Sequence, residues 1–407
     1  MTTESTDHTH PGPLRGLRVL ELGQLVAGPT AGQMLAYYGA DVVKVEPPER
    51  GDPLRTWRVL DDTGESYWWH SIARNKRSIA LNLGSTQGQD IARELMQQSD
   101  VVVENFRAGK MESWGLGPEK FQSTAPNLIY TRVSGYGQTG PYKDRLGFAS
   151  ACEGVAGFRY VNGHEGETPV RPNLSLGDTL AGMHAFIGVL LALQARDRLK
   201  LGGQCVDVSI VESVFNMMEG VYPEYAGAGV QREPSGSTIT GIVPTNTYRC
   251  ADGRFVVIGG NGDSIFKRLM HLAGRDDLGN DSRLASNPGR VKHERLIDKA
   301  LQDWTSTQNS KDLLLALAKA EVPSGAINSI ADIAVDPHFI ERDAFESVDI
   351  RGEQRRIPAM HPKLSKTAGQ TLTGGPALGE HTDAVLKEWL NAEDSVLEQW
   401  RSNNAIS

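Results

Sequence analysis

One aspartate at the start of a long apolar segment is a candidate for direct chemistry. Asp178 lies in the stretch NLSLGDTLAGMH, where a polar loop passes into a helical pattern of apolar residues. The simplest interpretation is a helix N-cap, which contributes about 1 kcal/mol to stability. Backbone N–H groups and the helix dipole also hold a carboxylate in this place ionised and oriented. Asp178 is therefore either a cap or a nucleophile.

Other familiar catalytic patterns are missing from the sequence. The glycines that follow the first predicted strand, Gly23, Gly28 and Gly32, are five and four residues apart. A dinucleotide fingerprint requires GxGxxG, so this turn lacks the backbone that approaches a pyrophosphate. The chain contains no HExxH, no clustered His and Cys, and no GxSxG. The sequence therefore predicts neither a metal site nor a serine hydrolase.

The elements that must position Asp178 alternate between strand and helix. Residues 17–23 form an apolar β-type run, residues 29–40 a helix, and residues 41–46 a second strand. This order in about 30 residues predicts a right-handed parallel βαβ unit. The alternation continues with strands over 100–106 and from Leu128 onward. We therefore predict an α/β fold with a doubly wound, Rossmann-like parallel sheet whose ligands bind at the strand ends.

The second half of the chain predicts a smaller α+β domain. A helix follows Asp178 to about Arg198, and a turn at Asp252–Gly253 separates two β runs of a hairpin. Before one final amphipathic helix, the tail is Pro- and Gly-rich extended chain. The predicted division is a disordered leader over 1–13, a large domain over 14–226 plus 345–407, a Gly-rich connection over 227–243, and a small domain with a return linker over 244–344.

Composition narrows the classes of function. The net charge of −8 over 407 residues argues against a nucleic-acid partner. The apolar run over 185–195 is shorter than the roughly 20 residues that cross a bilayer, so a buried helix and no membrane partner are predicted. The 3 cysteines, Cys152, Cys205 and Cys250, have no paired spacing. They are typical of a reduced, cytoplasmic protein.

Several stretches together resemble the class III CoA-transferases (CaiB/BaiF type). These enzymes include formyl-CoA and carnitine-linked CoA-transferases and, as relatives, the α-methylacyl-CoA racemases. The stretches occur in family order from about Gly16 to Leu386, and include GLRVLELGQLVAGPTAGQMLAYYGADVVKVEPPERGDPLR, ARNKRSIALNL, SDVVVENFRAG, VSGYGQTGPY, LGDTLAGMHAFIGVLLALQAR and ALGEHTDAVL. A similarity spread over nearly the whole chain carries more weight than any single motif.

The resemblance implies a role for Asp178. In the family the matching aspartate attacks an acyl-CoA thioester, becomes an acyl-aspartyl anhydride, and is then converted into an aspartyl-CoA thioester. An aspartate with an ordinary pKa near 3.9 is ionised at neutral pH and needs no separate base. Coenzyme A would be a substrate, and no other cofactor is expected. The family also implies an interlocked homodimer.

The resemblance further implies a set of coenzyme A contacts. Val26 and Ala27 would line the pantetheine, and the remaining contacts would reach the phosphates, the nucleotide or the thioester. Asn75, Lys76 and Arg77 would meet the phosphates. Asn105, Phe106 and Tyr136 would approach the nucleotide or the thioester, and Arg107 would supply a further cation. Oxyanion donors would lie near Asp178 or in the loop around Gly236. Arg145, Arg159 and Arg171 are candidates for pairing with the far carboxylate of a dicarboxylic acid.

Departures from the family pattern shape the predicted substrate. Val26 stands where formyl-CoA transferase has a glutamine, which argues against formyl or oxalate transfer. Phe148 stands where racemases have a proton-transfer histidine, so racemisation lacks one of its two acid/base partners. The resemblance to family members that carry GYGQTGPY implies transfer of CoA from succinyl-CoA to a dicarboxylate or hydroxy-dicarboxylate. A racemase or another acyl-CoA enzyme, and a non-catalytic CoA-binding protein, are the alternatives.

Overall fold

The computed structural model describes residues 11–407, and contacts within it define two compact units. The first unit runs to Phe158 and also contains Pro172–Glu219 and Glu341–Ser407. The second contains Arg159–Arg171 and Gly220–Ile340. Residues 1–10 of the predicted leader lie outside the described residues.

The second unit starts earlier than the sequence division placed it. The stretch 159–171 was assigned to the large domain, but it associates with the Gly-rich segment instead. Gly236 N donates to Gly163 O at 2.7 Å, and the Tyr160 hydroxyl donates to the Glu233 carboxylate at 2.9 Å. The predicted connection over 227–243 is therefore an integral part of the second unit.

A six-stranded parallel sheet forms the centre of the first unit. Its strands are β1 (Arg18–Glu21), β2 (Asp41–Glu46), β3 (Lys76–Ala80), β4 (Val101–Glu104), β5 (Ile129–Ser134) and β6 (Cys205–Ser209). They follow the order β3-β2-β1-β4-β5-β6, and every neighbouring pair is parallel. Runs such as VVV in β4 are buried throughout, as expected for strands covered on both faces. The predicted α/β fold is confirmed.

Eight helices lie between β1 and the end of the first unit's central segment. They are α1 (Ala27–Tyr37), α2 (Tyr67–Ile72), α3 (Thr86–Gln97), α4 (Lys110–Ser113), α5 (Ala149–Val155), α6 (Phe158–Val161), α7 (Leu176–Leu199) and α8 (Ile210–Phe215). The helices α1 to α7 occur between successive strands, α6 largely within the stretch 159–171 of the second unit, and α8 follows β6. Short 3-10 turns lie at Pro53–Thr56 and Pro118–Lys120. The strand β3 was not predicted, because its polar start KRS hides the β pattern.

The second unit combines a small antiparallel sheet with helices. Its elements are α9 (Val221–Ala228), β7 (Thr245–Arg249), β8 (Phe255–Gly259), α10 (Asp263–Leu272), α11 (Asp276–Gly279), α12 (Asn287–Lys292), α13 (Glu294–Thr305), α14 (Ser310–Lys319), β9 (Ser324–Ala326), α15 (Ile330–Ala334) and α16 (Pro337–Glu341), with a 3-10 turn at Ser282–Leu284. The strands β7 and β8 form the predicted hairpin, and β9 joins β8.

The chain then returns to the first unit. A hairpin of β10 (Phe345–Ile350) and β11 (Glu353–Pro358) precedes α17 (Thr382–Leu390) and α18 (Asp394–Ser402). The helix α17 is the predicted amphipathic one, whereas the hairpin and α18 were missed. Helices cover both faces of the large sheet: α1 and α7 contribute to one core cluster, and α3 and α17 to the other.

One helix in residues 11–407, α7, is long and apolar enough to cross a membrane by length and composition alone. Part of its surface packs in the core of the first unit, through residues that include Ala185, Phe186 and Val189. Its other side is open. Met183, Ile187 and Leu191, spaced four residues apart, are 42%, 48% and 66% exposed. The helix therefore carries an apolar face that the chain itself does not cover.

Candidate active site

The strand order makes the carboxyl ends of β1 and β4 the point at which the order of the sheet reverses. The helix after β1 packs in one core cluster and the helix after β4 in the other, so they lie on opposite faces of the sheet, and ligands of doubly wound folds bind at such a point. Immediately beyond these two strands, Gln24 N donates to Asn105 Oδ1 at 2.8 Å, and Asn105 Nδ2 donates to Gln24 O at 2.8 Å. Asn105 thus joins the two loops at the carboxyl edge.

Glycines let these loops approach each other. A Cβ atom on Gly23 would lie 3.0 Å from Asn105 Oδ1, and one on Gly28 would lie 3.3 Å from Asn105 Cγ. The glycines that failed the dinucleotide pattern therefore make room for the Asn105 side chain. Their spacing serves contact between two loops of the protein.

Asp178 lies in the first turn of α7 and is partly buried. The N-cap position belongs to Ser175, so the interpretation of Asp178 as an N-cap is wrong. The helix begins earlier because the buried carboxylate of Glu153 accepts a hydrogen bond from Gly177 N, at 3.2 Å. Asp178 remains within the turn where the helix dipole favours a negative charge.

A buried thiol and a second carboxylate lie beside Asp178. The side chains of Glu153 and Cys152 in α5 are fully buried. Burial, together with the negative charges of Asp178 and Glu153, raises the pKa of the Cys152 thiol to about 11. Cys152 is therefore protonated at neutral pH, chiefly because it is buried and secondarily because two carboxylates lie near it. Glu153 was missed, because a lone glutamate outside any recognised motif carries no sequence signal.

The start of α1 lies against α7 close to Asp178. A Cβ atom on Gly182 would lie 2.7 Å from Ala27 O and 2.5 Å from Thr30 Cβ. Asp178 precedes Gly182 by four residues and shares its face of the helix. Val26 and Ala27 are buried, at 3% and 4% exposure. The structure therefore brings together the first turns of α1 and α7, which carry the predicted pantetheine contacts and the predicted nucleophile.

The loop after β4 presents an aromatic and cationic cluster. Phe106 contacts Trp114 edge-on, with ring centroids 5.1 Å apart. The Lys110 ammonium lies 4.3 Å from the centroid of Trp114. Arg107 is exposed and has no ion pair within residues 11–407. Sequence reasoning missed Trp114, which supports both the ring of Phe106 and the charge of Lys110.

The loop after β5 carries a second such cluster. The ring of Tyr136 meets that of Tyr142 edge-on at 5.9 Å, and the Arg145 guanidinium lies 3.4 Å from the Tyr142 centroid. A Cβ atom on Gly147 would lie 2.9 Å from Tyr136 Cε2 and 3.1 Å from Cys152 Sγ. Tyr136 is thus a near neighbour of the thiol beside Asp178.

The two cations at the start of β3 are used inside the protein. Lys76 Nζ lies 2.7 Å from Glu21 Oε2 with both side chains at 0% exposure, and it donates to Pro29 O at 2.8 Å. Burial lowers the pKa of Lys76 to about 8. A phosphate contact by Lys76 would break this buried pair, so we remove Lys76 from the expected phosphate ligands.

Arg77 and Asn75 are also engaged elsewhere. Arg77 faces the opposite side of β3 from Lys76 and pairs with Asp41 and Glu388, the latter at 2.6 Å. Asn75 Oδ1 accepts from Leu372 N at 2.7 Å and thereby ties the return segment to the sheet. These contacts give both residues structural partners.

The remaining candidates lie in the second unit. Arg159 is part of it, and so is Arg171, which is exposed. Gly236 has φ +69, and a Cβ atom there would lie 2.8 Å from two atoms of the His164 ring. Only glycine fits this turn against the ring. Within residues 11–407, no group of three or more His, Cys, Asp or Glu side chains is arranged to hold a metal ion.

The site is therefore an acidic helix start in an α/β enzyme fold, flanked by clusters of aromatic and cationic residues. The chain matches the model of CoA-transferase family III over residues 14–382. It belongs to this family, and the protein is a class III CoA-transferase-type enzyme of the CaiB/BaiF kind.

Named relatives cover almost the entire chain. The chain is 40% identical to succinyl-CoA–D-citramalate CoA-transferase of Chloroflexus aurantiacus, over 97% of this chain and 98% of that protein. It is 38% identical to the succinyl-CoA–L-malate CoA-transferase beta subunit of the same organism, with the same coverage of 97% and 98%. The crystal structure of a CaiB/BaiF family protein from Brucella suis is similar with a TM-score of 0.82 at 32% identity, over 93% of this chain and 99% of that one.

Proposed function

We propose that this enzyme transfers coenzyme A from succinyl-CoA to a dicarboxylate or hydroxy-dicarboxylate, with Asp178 as the nucleophile. The observation that carries the proposal is the position of Asp178 in the first turn of α7, beside the loop of Val26 and Ala27. The named relatives support the substrate class, since their names pair succinyl-CoA with citramalate and with malate.

The first half of the proposed reaction loads coenzyme A onto the enzyme. A carboxylate oxygen of Asp178 attacks the thioester carbon of succinyl-CoA, and the C–S bond breaks to release the CoA thiolate. The thiolate attacks the aspartyl carbonyl of the resulting anhydride and releases succinate. The product of this half is an aspartyl-CoA thioester.

The second half repeats these steps in reverse with the acceptor. A carboxylate of the acceptor attacks the aspartyl thioester and frees the thiolate, which then attacks the acceptor carbonyl of the new anhydride. The Asp178 carboxylate is regenerated. One thioester replaces another, so the reaction balances without ATP, a metal or a redox group. We therefore propose that coenzyme A enters only as a substrate and that no further cofactor takes part.

Recognition of coenzyme A is assigned to the loops beyond β1, β4 and β5. Val26 and Ala27 would pack on the pantetheine, and Asn105, Phe106 and Tyr136 would line its path. Arg107 would pair with a phosphate, because it is exposed and has no carboxylate partner within residues 11–407. Arg145, stacked on Tyr142, would bind the far carboxylate of the acceptor.

We also propose a homodimer in the cytoplasm. The apolar stripe of Met183, Ile187 and Leu191 on α7 supports a second copy of the chain as the partner that covers it. The free cysteines Cys152 and Cys250 suit a reducing compartment. Because one relative is named as a subunit, size-exclusion chromatography with light scattering should be done on the protein expressed alone. A monomer that lacks CoA exchange would oppose the homodimer.

The central experiment follows covalent labelling of Asp178. Purified enzyme is incubated with succinyl-CoA and hydroxylamine, and the labelled peptide is identified by mass spectrometry. Exchange of isotopic succinate into succinyl-CoA is measured in parallel. We expect a hydroxamate on Asp178, and we expect Asp178→Ala to abolish both label and exchange while coenzyme A still binds.

A matched control lies at the other end of the same helix. Asp197 in α7 is exposed and pairs with Arg196 at 2.7 Å, far along the chain from the first turn. Asp197→Asn should leave labelling and exchange unchanged. Near-normal exchange in Asp178→Ala, or a label on another residue, would refute the assignment.

A further inference from the structure

The loop between β1 and α1 is held in an unusual backbone conformation. Leu25 has φ +65, in the left-handed region that residues with a side chain rarely adopt. Its N–H donates to both carboxylate oxygens of Asp52, at 3.0 and 3.1 Å. Two residues earlier, Gly23 O accepts from Lys44 Nζ at 2.8 Å. Side chains from another segment therefore fix the backbone just before Val26 and Ala27.

Asp52 and Lys44 belong to a row of four buried charges, which we name the buried charge chain. It runs from Lys76 through Glu21 and Lys44 to Asp52. Successive N–O distances are 2.7, 2.9 and 2.8 Å. Each side chain is at most 1% exposed. Two positive and two negative groups make the chain neutral, and Lys76 also donates to Pro29 O in the first turn of α1.

Stability alone is a weak reason for such an arrangement. Desolvation of buried ions offsets most of their mutual attraction, and well-packed apolar residues often replace a buried ion pair without loss. The buried charge chain instead fixes the position of the backbone. Its side chains bind three backbone groups of the loop and of α1. The same loop precedes the helix turn that contacts Gly182, one turn from Asp178.

We infer that Asp52 and Lys44 are positioning residues, which fix the loop from Gly23 to Ala27 where the acyl-CoA thioester meets Asp178. This inference rests on the proposed function of Asp178. A small displacement of the loop would misalign the thioester with the carboxylate. Displacements of about 1 Å cost on the order of 100-fold in rate, so the effect falls on kcat more than on KM.

The test separates charge balance from positioning by comparing two double variants. Lys44→Met with Asp52→Asn and Lys44→Met with Asp52→Ala both leave a neutral Glu21–Lys76 pair. The Asn variant keeps an amide oxygen that can accept from Leu25 N, whereas the Ala variant has none. We expect the Ala variant to unfold at a somewhat lower temperature, because Asp52 also accepts from Leu54 N at 2.9 Å and thereby caps the turn Pro53–Thr56, so kcat is compared at a temperature where both variants are fully folded. We expect kcat of the Ala variant to be roughly 10- to 100-fold below that of the Asn variant, with KM for succinyl-CoA changed less than about threefold.

A second readout needs no activity at all. Hydrogen exchange followed by mass spectrometry should show faster exchange at Leu25 in the Ala variant than in the Asn variant. If neither double variant folds, Asp52→Glu serves instead, because it keeps every charge and moves the carboxylate by one methylene. It should lower kcat at least about tenfold.

Two kinds of failure are distinguishable. Equal kcat in the folded variants and wild type would show that the buried charge chain has a structural role only, and would overturn the inference. If the wild type shows neither exchange of isotopic succinate into succinyl-CoA nor labelling of Asp178, the proposed function would instead be overturned. In that case faster amide hydrogen exchange at Leu25 in the Ala variant than in the Asn variant would still support Asp52 as the anchor of the loop. Equal amide hydrogen exchange in the two variants would reject that role.

Discussion

Two groups of charged residues in the first unit differ in how they are neutralised. In the buried charge chain every ion faces an opposite charge within 2.9 Å and is closed to solvent. Arg107 and Arg145, in the loops beyond β4 and β5, are exposed and have no carboxylate partner in the part of the chain the structure describes. A ligand phosphate or carboxylate needs an exposed cation without a carboxylate partner, because the buried lysines are already neutralised by carboxylates of the protein.

The largest effect that tests this difference concerns stability. Lys76→Met leaves Lys44 as the one cation that Glu21 and Asp52 share in the buried charge chain, and removal of one partner from a buried ion pair costs about 3–5 kcal/mol. Arg145→Gln removes only an exposed guanidinium and should change the free energy of unfolding by less than about 0.5 kcal/mol. Urea denaturation followed by circular dichroism measures both. A loss below about 1 kcal/mol in Lys76→Met would place Lys76 with the exposed cations.

A charge-balanced variant sharpens this prediction. Lys76→Met combined with Glu21→Gln removes an ion of each sign and leaves Lys44 paired with Asp52 at 2.8 Å. Because the two sites share a contact, their effects should not add. The double variant should therefore be more stable than Lys76→Met alone.

The second prediction concerns kinetics and should separate the two exposed arginines. Arg145→Gln should raise KM for the dicarboxylate acceptor by about 10- to 100-fold, since a hydrogen bond to a charged group contributes about 1.5–3 kcal/mol. It should leave KM for succinyl-CoA nearly unchanged. Arg107→Gln should show the opposite pattern. Each variant is the control for the other, and equal effects on both substrates would contradict the assignment.

A monocarboxylate acceptor tests the role of Arg145 further. An acceptor without a far carboxylate has nothing for this guanidinium to bind. Wild type and Arg145→Gln should therefore use it equally well, as measured by mass spectrometry of the CoA products. A loss of activity toward this acceptor would assign Arg145 to another function.

The sequence predicted the strands and helices around this site better than it predicted which charged side chains are paired. Valine-rich runs and helix periodicity are local signals, so β1, α1, β2 and β4 were found near their observed bounds. The burial of Lys76 depends on Glu21, which is 55 residues away in the chain, and no local pattern reveals such a partner. The start of α7 was misplaced for the same reason, because Glu153 reaches it from another helix.

His381 is intermediate between the buried, paired ions and the exposed arginines. Protonation of its Nδ1 would give it a charge but would also break the hydrogen bond that Nδ1 accepts from Ser78 N. The ring Nδ1 of His381 accepts from Ser78 N in β3 at 3.3 Å, and the backbone N–H of His381 donates to Ser78 O at 2.9 Å. Burial, aided by the charge of Arg77 and opposed by Glu380, lowers the pKa of His381. The neutral ring therefore joins α17 to the sheet.

The smallest predicted effect is a pH dependence of stability through this ring. Since the pKa is lower in the folded state, the unfolded state binds the proton more readily below the usual value of about 6.5. The free energy of unfolding should thus fall as pH falls through 6.5 and below.

His381→Gln removes this titration, so the stability difference between wild type and variant should shrink by up to about 1 kcal/mol between pH 7.5 and pH 5.5. His271→Gln, at an exposed histidine paired with Asp276, is the matched control. If the free energies of unfolding of wild type and His381→Gln change with pH in parallel, protonation leaves the contact with β3 intact. His381 would then resemble the exposed, unpaired cations.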